Sequence, residues 1–172
     1  MKKCKICQND FQESNSLQVV CSHVCVLAYS RGKIAKKVKA ENKEKKERLK
    51  TKSQHLKELQ IIFNRFIRER DKGLPCISCG AKIKGNGHAS HFFSVGSNPA
   101  LRFNENNCFV SCEYCNTYLH GNLYEYSIRL PERIGEEAYN ELLSMKRQKL
   151  QLSIPEIEEL KIEYRNKIKL LI

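Results

Sequence analysis

No stretch of this sequence approaches the roughly 20 uninterrupted apolar residues that a membrane-spanning helix needs. The Met1-Lys2-Lys3 start runs into Cys4 and not into the apolar core of a secretory leader, so the chain is expected to work in the cytoplasm. In that reducing compartment the nine cysteines are not expected to pair as disulfides, and thiols that come in close pairs point instead to metal. No convincing internal repeat is present. Acidic residues are in deficit: 19 Asp/Glu face 31 Lys/Arg, a net charge of +12 with a pI near 9.3. Such a surplus suggests a polyanionic partner, because each phosphate neutralised by Lys or Arg releases condensed counterions.

What is there divides into four segments. With 172 residues, 29% of them charged and 41% hydrophobic, the chain has room for one or two small domains. We read a small cysteine finger (1–29), a basic helical arm (30–72), a second module with cysteines and histidines (73–130) and a helical tail (131–172). From Arg31 to Lys52 eleven Lys/Arg stand against three Glu, which leaves only +4 for the rest of the chain. Apolar residues between Ile34 and Leu49 are few and mostly small, which predicts a charged helix standing in solvent. Arg31, Lys33, Lys36, Lys37, Lys39, Lys43, Lys45 and Lys46 on this arm, with Arg102 further on, are candidate DNA contacts. The plainer reading of the run is a solvated helix.

Leu56, Leu59, Ile62, Phe63, Phe66 and Ile67 recur at three- and four-residue steps, the spacing of one buried helix face. Gly73 and Pro75 stop that helix just before Cys76. In the tail, Ser153 and Glu156 fit a capping box with Pro155 in the first turn, and Ile157, Leu160, Tyr164, Ile168 and Leu171 continue as a stripe. Either stripe predicts core or dimer packing.

Cys76-x-x-Cys79 is followed by Cys112-x-x-Cys115, a spacing that places four thiolates around one tetrahedral zinc, with Gly80 supplying the positive φ of a tight knuckle. Cys4-x-x-Cys7 with Cys21 and Cys25 fits a second such site, in which His23 is an alternative ligand for one sulfur. Redox dithiols or buried free thiols explain two bracketing pairs less well. Cys108, the ninth cysteine, reads as a small buried hydrophobe in a strand. Both zinc ions would be structural, since four protein ligands close the coordination sphere.

His88, His91, Asn107, Asn116 and His120 lie between and just after the second module's knuckles, and the zinc needs none of them. If a helix begins at the second knuckle, Asn116 and His120 share one of its faces. Taken singly, each reads as a satisfied histidine or a helix cap. Together, the order strand, loop, strand and helix, clamped by paired Cys-x-x-Cys, resembles the HNH nuclease module. That resemblance implies an α+β fold built on a zinc-stapled, treble-clef-like ββα-metal unit. It also implies His91 as general base, Asn107 as the residue orienting it and Asn116 as a ligand of a catalytic Mg²⁺ or Mn²⁺. Most members of that class carry a metal-binding Asp just before the base. Here Ser90 stands in its place, so His88 or His120 would have to complete the site. An imidazole that deprotonates water near neutral pH and a divalent cation facing the phosphate are what phosphodiester cleavage requires.

A closer resemblance spans most of the chain. The N-terminal Cys-x-x-Cys finger, the basic helix, the run from Phe63 to Gly80, the run from Leu101 to Cys108, and Cys115-Asn116 through Gly121-Asn122-Leu123 are similar to the NinG (Rap) family of lambdoid phages and prophages. The resemblance implies a recombination endonuclease that cuts Holliday junctions and D-loops. Two symmetric nicks on a junction suggest a C2 homodimer, with the apolar helix faces as candidate interface. The competing expectations are a non-catalytic zinc-finger protein that binds DNA or RNA and a zinc-stabilised protein adaptor, which would leave the basic run unexplained.

Overall fold

The structure, a computed structural model, describes residues 1–172. The chain falls into two compact units, Met1–Lys50 and Thr51–Ile172.

In the first unit two short antiparallel strands, β1 (Lys2–Lys3) and β2 (Asp10–Phe11), precede the helix α1 (His23–Arg48). Ser22 caps α1 by accepting from the Cys25 N–H. The core is minimal, consisting of Cys4, Val20 and Cys25 with Phe11 and Tyr29 packed around them. Cys25 is the one residue that α1 buries, and every residue from Ser30 to Leu49 is exposed. At 1.5 Å per residue the 26 residues of α1 reach about 39 Å. Lys45, Lys46 and Arg48 in its last turn complement the helix dipole, and an exposed Lys37–Glu41 pair at 4.0 Å adds little.

The expected arm 30–72 is therefore not one element. Its helix starts earlier, at His23, and ends at Arg48, and Thr51 then opens α2 (Lys52–Arg70) with a capping box to Gln54. Unlike α1, α2 has an apolar face to bury. Leu59, Phe63, Phe66 and Ile67 close against Ile157, Tyr164 and Ile168 of α5 (Ile154–Leu171), with the Phe63 ring edge-on to Tyr164 at 5.1 Å. The two predicted stripes thus satisfy each other within one chain, which removes them as the expected dimer interface. The Ser153–Glu156 capping box forms as read, whereas Leu171 is exposed and outside the stripe.

In chain order between these helices comes an antiparallel pair of β3 (His88–His91) and β4 (Cys108–Ser111), with His88 opposite Ser111 and His91 opposite Cys108. All four residues of β4 are buried because the strand separates two cores. Cys108 faces α2 and α5, while Phe109 joins Ile77, Leu101, Tyr126, Leu130 and Leu142 beneath α3 (Leu123–Ile134) and α4 (Glu136–Ser144). Asp71 ties α2 to this strand. Only 3% exposed, its carboxylate accepts from the Val110 N–H at 2.9 Å and from the Arg70 guanidinium at 2.7 and 3.1 Å. Chain order through the module is strand, strand, knuckle and helix.

Candidate metal centres and nuclease-like site

The eight paired cysteines gather into two clusters of four thiols, Cys4, Cys7, Cys21 and Cys25 in one unit and Cys76, Cys79, Cys112 and Cys115 in the other. Within each cluster the sulfurs lie within 4.8 Å of one another, and none is disulfide-bonded. A tetrahedron with zinc–sulfur bonds near ~2.3 Å has edges of about 3.8 Å. The Cys79–Cys112 and Cys21–Cys25 separations are 3.8 and 3.7 Å, so the residues fit a zinc ion. Burial would raise the Cys76 thiol, but N–H groups of Cys79, Cys112 and Ser78 aimed at its sulfur outweigh that and bring it down to about 7. Cys4 is brought to about 6 in the same way, with N–H groups of Cys7, Ile6 and Cys21 overcoming burial. Thiolates held by backbone donors are what zinc binds. His23 is exposed at the start of α1 and Cys25 completes the first cluster, so the alternative ligand is not used.

A third group of metal-ligating side chains, His55, Glu58 and Glu158, already holds a cation. The ammonium of Lys161, only 1% exposed, sits 2.7 Å from Glu58 and 2.6 Å from Glu158, and His55 Nδ1 lies 2.6 Å from the same Glu158 carboxylate. The group pins α5 to α2.

Strand alternation places neighbouring residues of β3 on opposite faces. Ser90 is buried near Gly121, and its carbonyl accepts from the Tyr126 hydroxyl at 3.0 Å, on the side of α3. His91 therefore turns the other way, toward α2, with its ring 6.1 Å from that of Phe63. Its Nε2 lies 2.9 Å from the Arg102 carbonyl, which can only accept, so Nε2 carries the proton and Nδ1 is left facing the Cys108 thiol at 3.7 Å. Burial first, and then the nearby Arg102 guanidinium, hold His91 below its ordinary value. The ring is neutral and oriented, as a base must be, yet its one free nitrogen faces the buried Cys108 thiol. The expected role of His91 as general base is not supported by this placement.

Asn107 is fully buried and makes no bond to His91. Its Oδ1 accepts from the Phe93 N–H at 2.8 Å, and its Nδ2 donates to the Phe93 and Leu101 carbonyls, both at 3.0 Å. It clamps the long connection between β3 and β4, and reaches His91 only through the chain. Arg102, expected to touch DNA, is likewise turned to structure. Nε donates to Gln60 at 2.8 Å, Nη2 to the Leu56 carbonyl at 3.4 Å, and the guanidinium lies over Phe103.

The helix expected to start at the second knuckle is a single wide turn, Tyr114–Tyr118, that ends at Leu119. His120, Gly121 and Asn122 follow with φ of 49, 97 and 47°, and α3 starts only at Leu123. Three successive left-handed residues break the helical register, so Asn116 and His120 do not share a helix face. The reversal serves the metal cluster, where Asn122 Nδ2 lies 3.7 Å from the Cys115 sulfur and Ser78 Oγ donates to the Gly121 carbonyl at 2.8 Å. These two supports carry no spacing signal in the sequence.

His88 and His120 remain exposed, and Asn116 is half-buried on the wide turn. No cluster of three ligating side chains includes His88, His91 or His120. His88 borders a cleft of 430 Å³ together with Lys82, Lys84, Cys112, Glu113 and Tyr114. No helix is long and apolar enough to cross a membrane.

Comparison with known proteins agrees with the family resemblance of the sequence. A NinG protein of Escherichia phage lambda is 41% identical over 121 aligned residues, covering 70% of this chain and 59% of that protein. The NinG proteins of Escherichia phage 933W and Enterobacteria phage H19B are 35% and 37% identical, covering 98% and 83% of this chain and 92% and 80% of theirs. No solved structure matches. The family described as "Bacteriophage Lambda NinG protein" matches residues 1–172, and the chain belongs to that family.

Proposed function

We propose that this chain is a metal-dependent DNA endonuclease of the ββα-metal class that cuts branched recombination intermediates in the cytoplasm of a phage-infected host, acting as a C2 dimer. The observation that carries the reading is the order first knuckle (Cys76, Cys79), β3, β4, second knuckle (Cys112, Cys115) and α3, with the two knuckles closing one four-thiol cluster and His88 accessible beside it. His88 takes the role first given to His91, because an imidazole that is to accept a proton from water must reach water. Asn116 and His120 are the remaining donors on the neighbouring turns. With so few protein ligands, the site suits Mg²⁺ or Mn²⁺ that keeps several waters and engages phosphate oxygens of the substrate. The cation would supply electrostatic stabilisation of charge on the phosphate. His91 and Asn107 are positioning residues that fix the β3–β4 connection.

The test is cleavage of a synthetic four-way junction beside a linear duplex of the same sequence, with added Mg²⁺ or Mn²⁺. His88→Ala should lose cleavage at unchanged zinc content and junction affinity. Parent-like cutting by a folded His88→Ala protein would overturn the assignment of the base. The second reading is a non-catalytic zinc protein that binds DNA, favoured by the lack of any three-ligand cluster around His88 and His120. Binding without metal-dependent nicking by the parent would select it.

A further inference from the structure

The unit Thr51–Ile172 carries eighteen Lys/Arg and fourteen Asp/Glu. Six of those basic residues and only two of the acidic ones fall between Arg65 and Lys84, so that one segment accounts for the whole net +4 of the unit. The structure folds the segment around a concavity. A cleft of 300 Å³ is lined by Arg65 and Arg68 from the end of α2, by Lys72 just after it and by Lys82 from the loop before β3. None of these four side chains makes an ion pair within the protein. Of the two acids in the cleft, Asp71 is taken up by Arg70 and the Val110 N–H, which leaves Glu69. Lys82, Ile83 and Asn86 line this cleft and also the one that holds His88, so the two adjoin. Complementing the dipole at the C-terminal end of α2 would explain Arg68 but not Lys82 or Lys84, which lie on no helix.

We propose that this cleft is a phosphate track that leads one DNA strand to His88. It is a second DNA-binding surface, separate from α1, and it rests on the endonuclease reading above. Unpaired cations spaced along a concave wall neutralise backbone phosphates without reading bases, so the track accepts any sequence.

The test is binding of a labelled four-way junction to the zinc-replete full chain at several salt concentrations, with no Mg²⁺ or Mn²⁺ added so that nothing is cut, and with no chelator so that the zinc sites stay filled. The variant is Arg65→Gln/Arg68→Gln/Lys82→Gln, and Lys149→Gln/Arg165→Gln/Lys169→Gln, exposed residues outside the cleft, is the control matched in charge. Three lost phosphate contacts lower the salt slope by about 2.1 to 2.7, so that between 50 and 200 mM salt the parent should lose about 20- to 40-fold more affinity than the variant. The control should keep the parental slope. A parental slope in the cleft variant, or an equal fall in the control, overturns the track. In unsubstituted protein, bound junction should protect Lys72 and Lys82 from acetylation while Lys169 stays reactive, and equal labelling of all three overturns the track even if the variant does not fold. Because binding is read without Mg²⁺ or Mn²⁺, a reduced slope in the variant alongside a parent that never nicks when either ion is added would retain the track and reject the endonuclease reading.

Discussion

Replacing Asn107 with alanine separates a structural clamp from an orienting residue. The side chain is 0% exposed and makes three hydrogen bonds, all to main-chain groups of Phe93 and Leu101. Each such bond contributes about 1 kcal/mol net, and main-chain groups left unpaired in a dry site each cost about 1–3 kcal/mol. Water entering the space left by the side chain would recover part of that. We expect Asn107→Ala to lose about 3–5 kcal/mol, a large part of the roughly 5–15 kcal/mol that holds a domain of this size together. At about 4 °C per kcal/mol, the melting temperature should fall by about 12–20 °C. Urea denaturation and thermal melts of zinc-replete parent and variant measure both quantities. Asn107→Asp should rescue little, because it keeps the acceptor for Phe93 N–H and loses both donors. If Asn107→Ala loses under about 1 kcal/mol and only cleavage suffers, the clamp is the wrong reading, and Asn107 acts on His91 as the sequence resemblance implied.

The remaining expectations concern metal, the arm and pH. Metal analysis should find two zinc ions per chain, and Cys76→Ser should unfold Thr51–Ile172 while the first cluster keeps its ion, since structural zinc contributes on the order of 10 kcal/mol or more; zinc near zero in folded parent refutes the four-thiolate sites. Reversing Lys36, Lys37, Lys43 and Lys46 on the exposed face of α1 should weaken binding to all DNA and flatten its salt dependence, and unchanged affinity across salt would mean that α1 is only a solvated helix. His91 is held below 6.5 by burial, so as pH falls through 6.5 the unfolded chain takes up the proton first. The associated stability is fully present above pH 6.5 and is lost as pH falls toward the depressed folded value. Stability of the parent should therefore drop more steeply between pH 6.5 and 5 than that of His91→Gln, and equal slopes would place His91 in water.

The elements legible in the sequence are those with a local periodic or spacing signal. Phe63 and Tyr164 announce their faces by helical steps, Ser153 and Glu156 announce a cap, and the paired cysteines announce their clusters because a knuckle is a local structure. Gly73 and Gly80 are left-handed as their positions required, with φ of 84 and 72°. What spacing could not show is direction. His88 and His91 are three apart, so on a strand they must face opposite ways, but which one meets water depends on where α2 packs. That is decided by Phe63 and Cys108, remote from either histidine in sequence. Arg102 likewise reads as a DNA contact until Gln60 and the Leu56 carbonyl, more than forty residues upstream, take up its guanidinium.

The same distinction separates the two basic regions. The run from Arg31 to Lys52 dominates the sequence because its charges are contiguous, yet only Lys33 and Lys36 of α1 line a cleft, with Lys3 and Lys5, and the basic residues from Lys37 to Arg48 stand along an exposed helix. Arg65, Arg68 and Lys82 are fewer, and although the segment from Arg65 to Lys84 carries an excess of positive charge, the sequence does not show that they share one cleft. They line one cleft where Asp71 ties the end of α2 to β4 through the Val110 N–H. A contiguous charge run raises the encounter rate with DNA from any direction. Charges fixed around a cleft that adjoins His88 can set where a strand lies. Asp71→Asn, which weakens the tie without removing any basic side chain, should therefore disturb the track more than it changes the overall attraction to DNA.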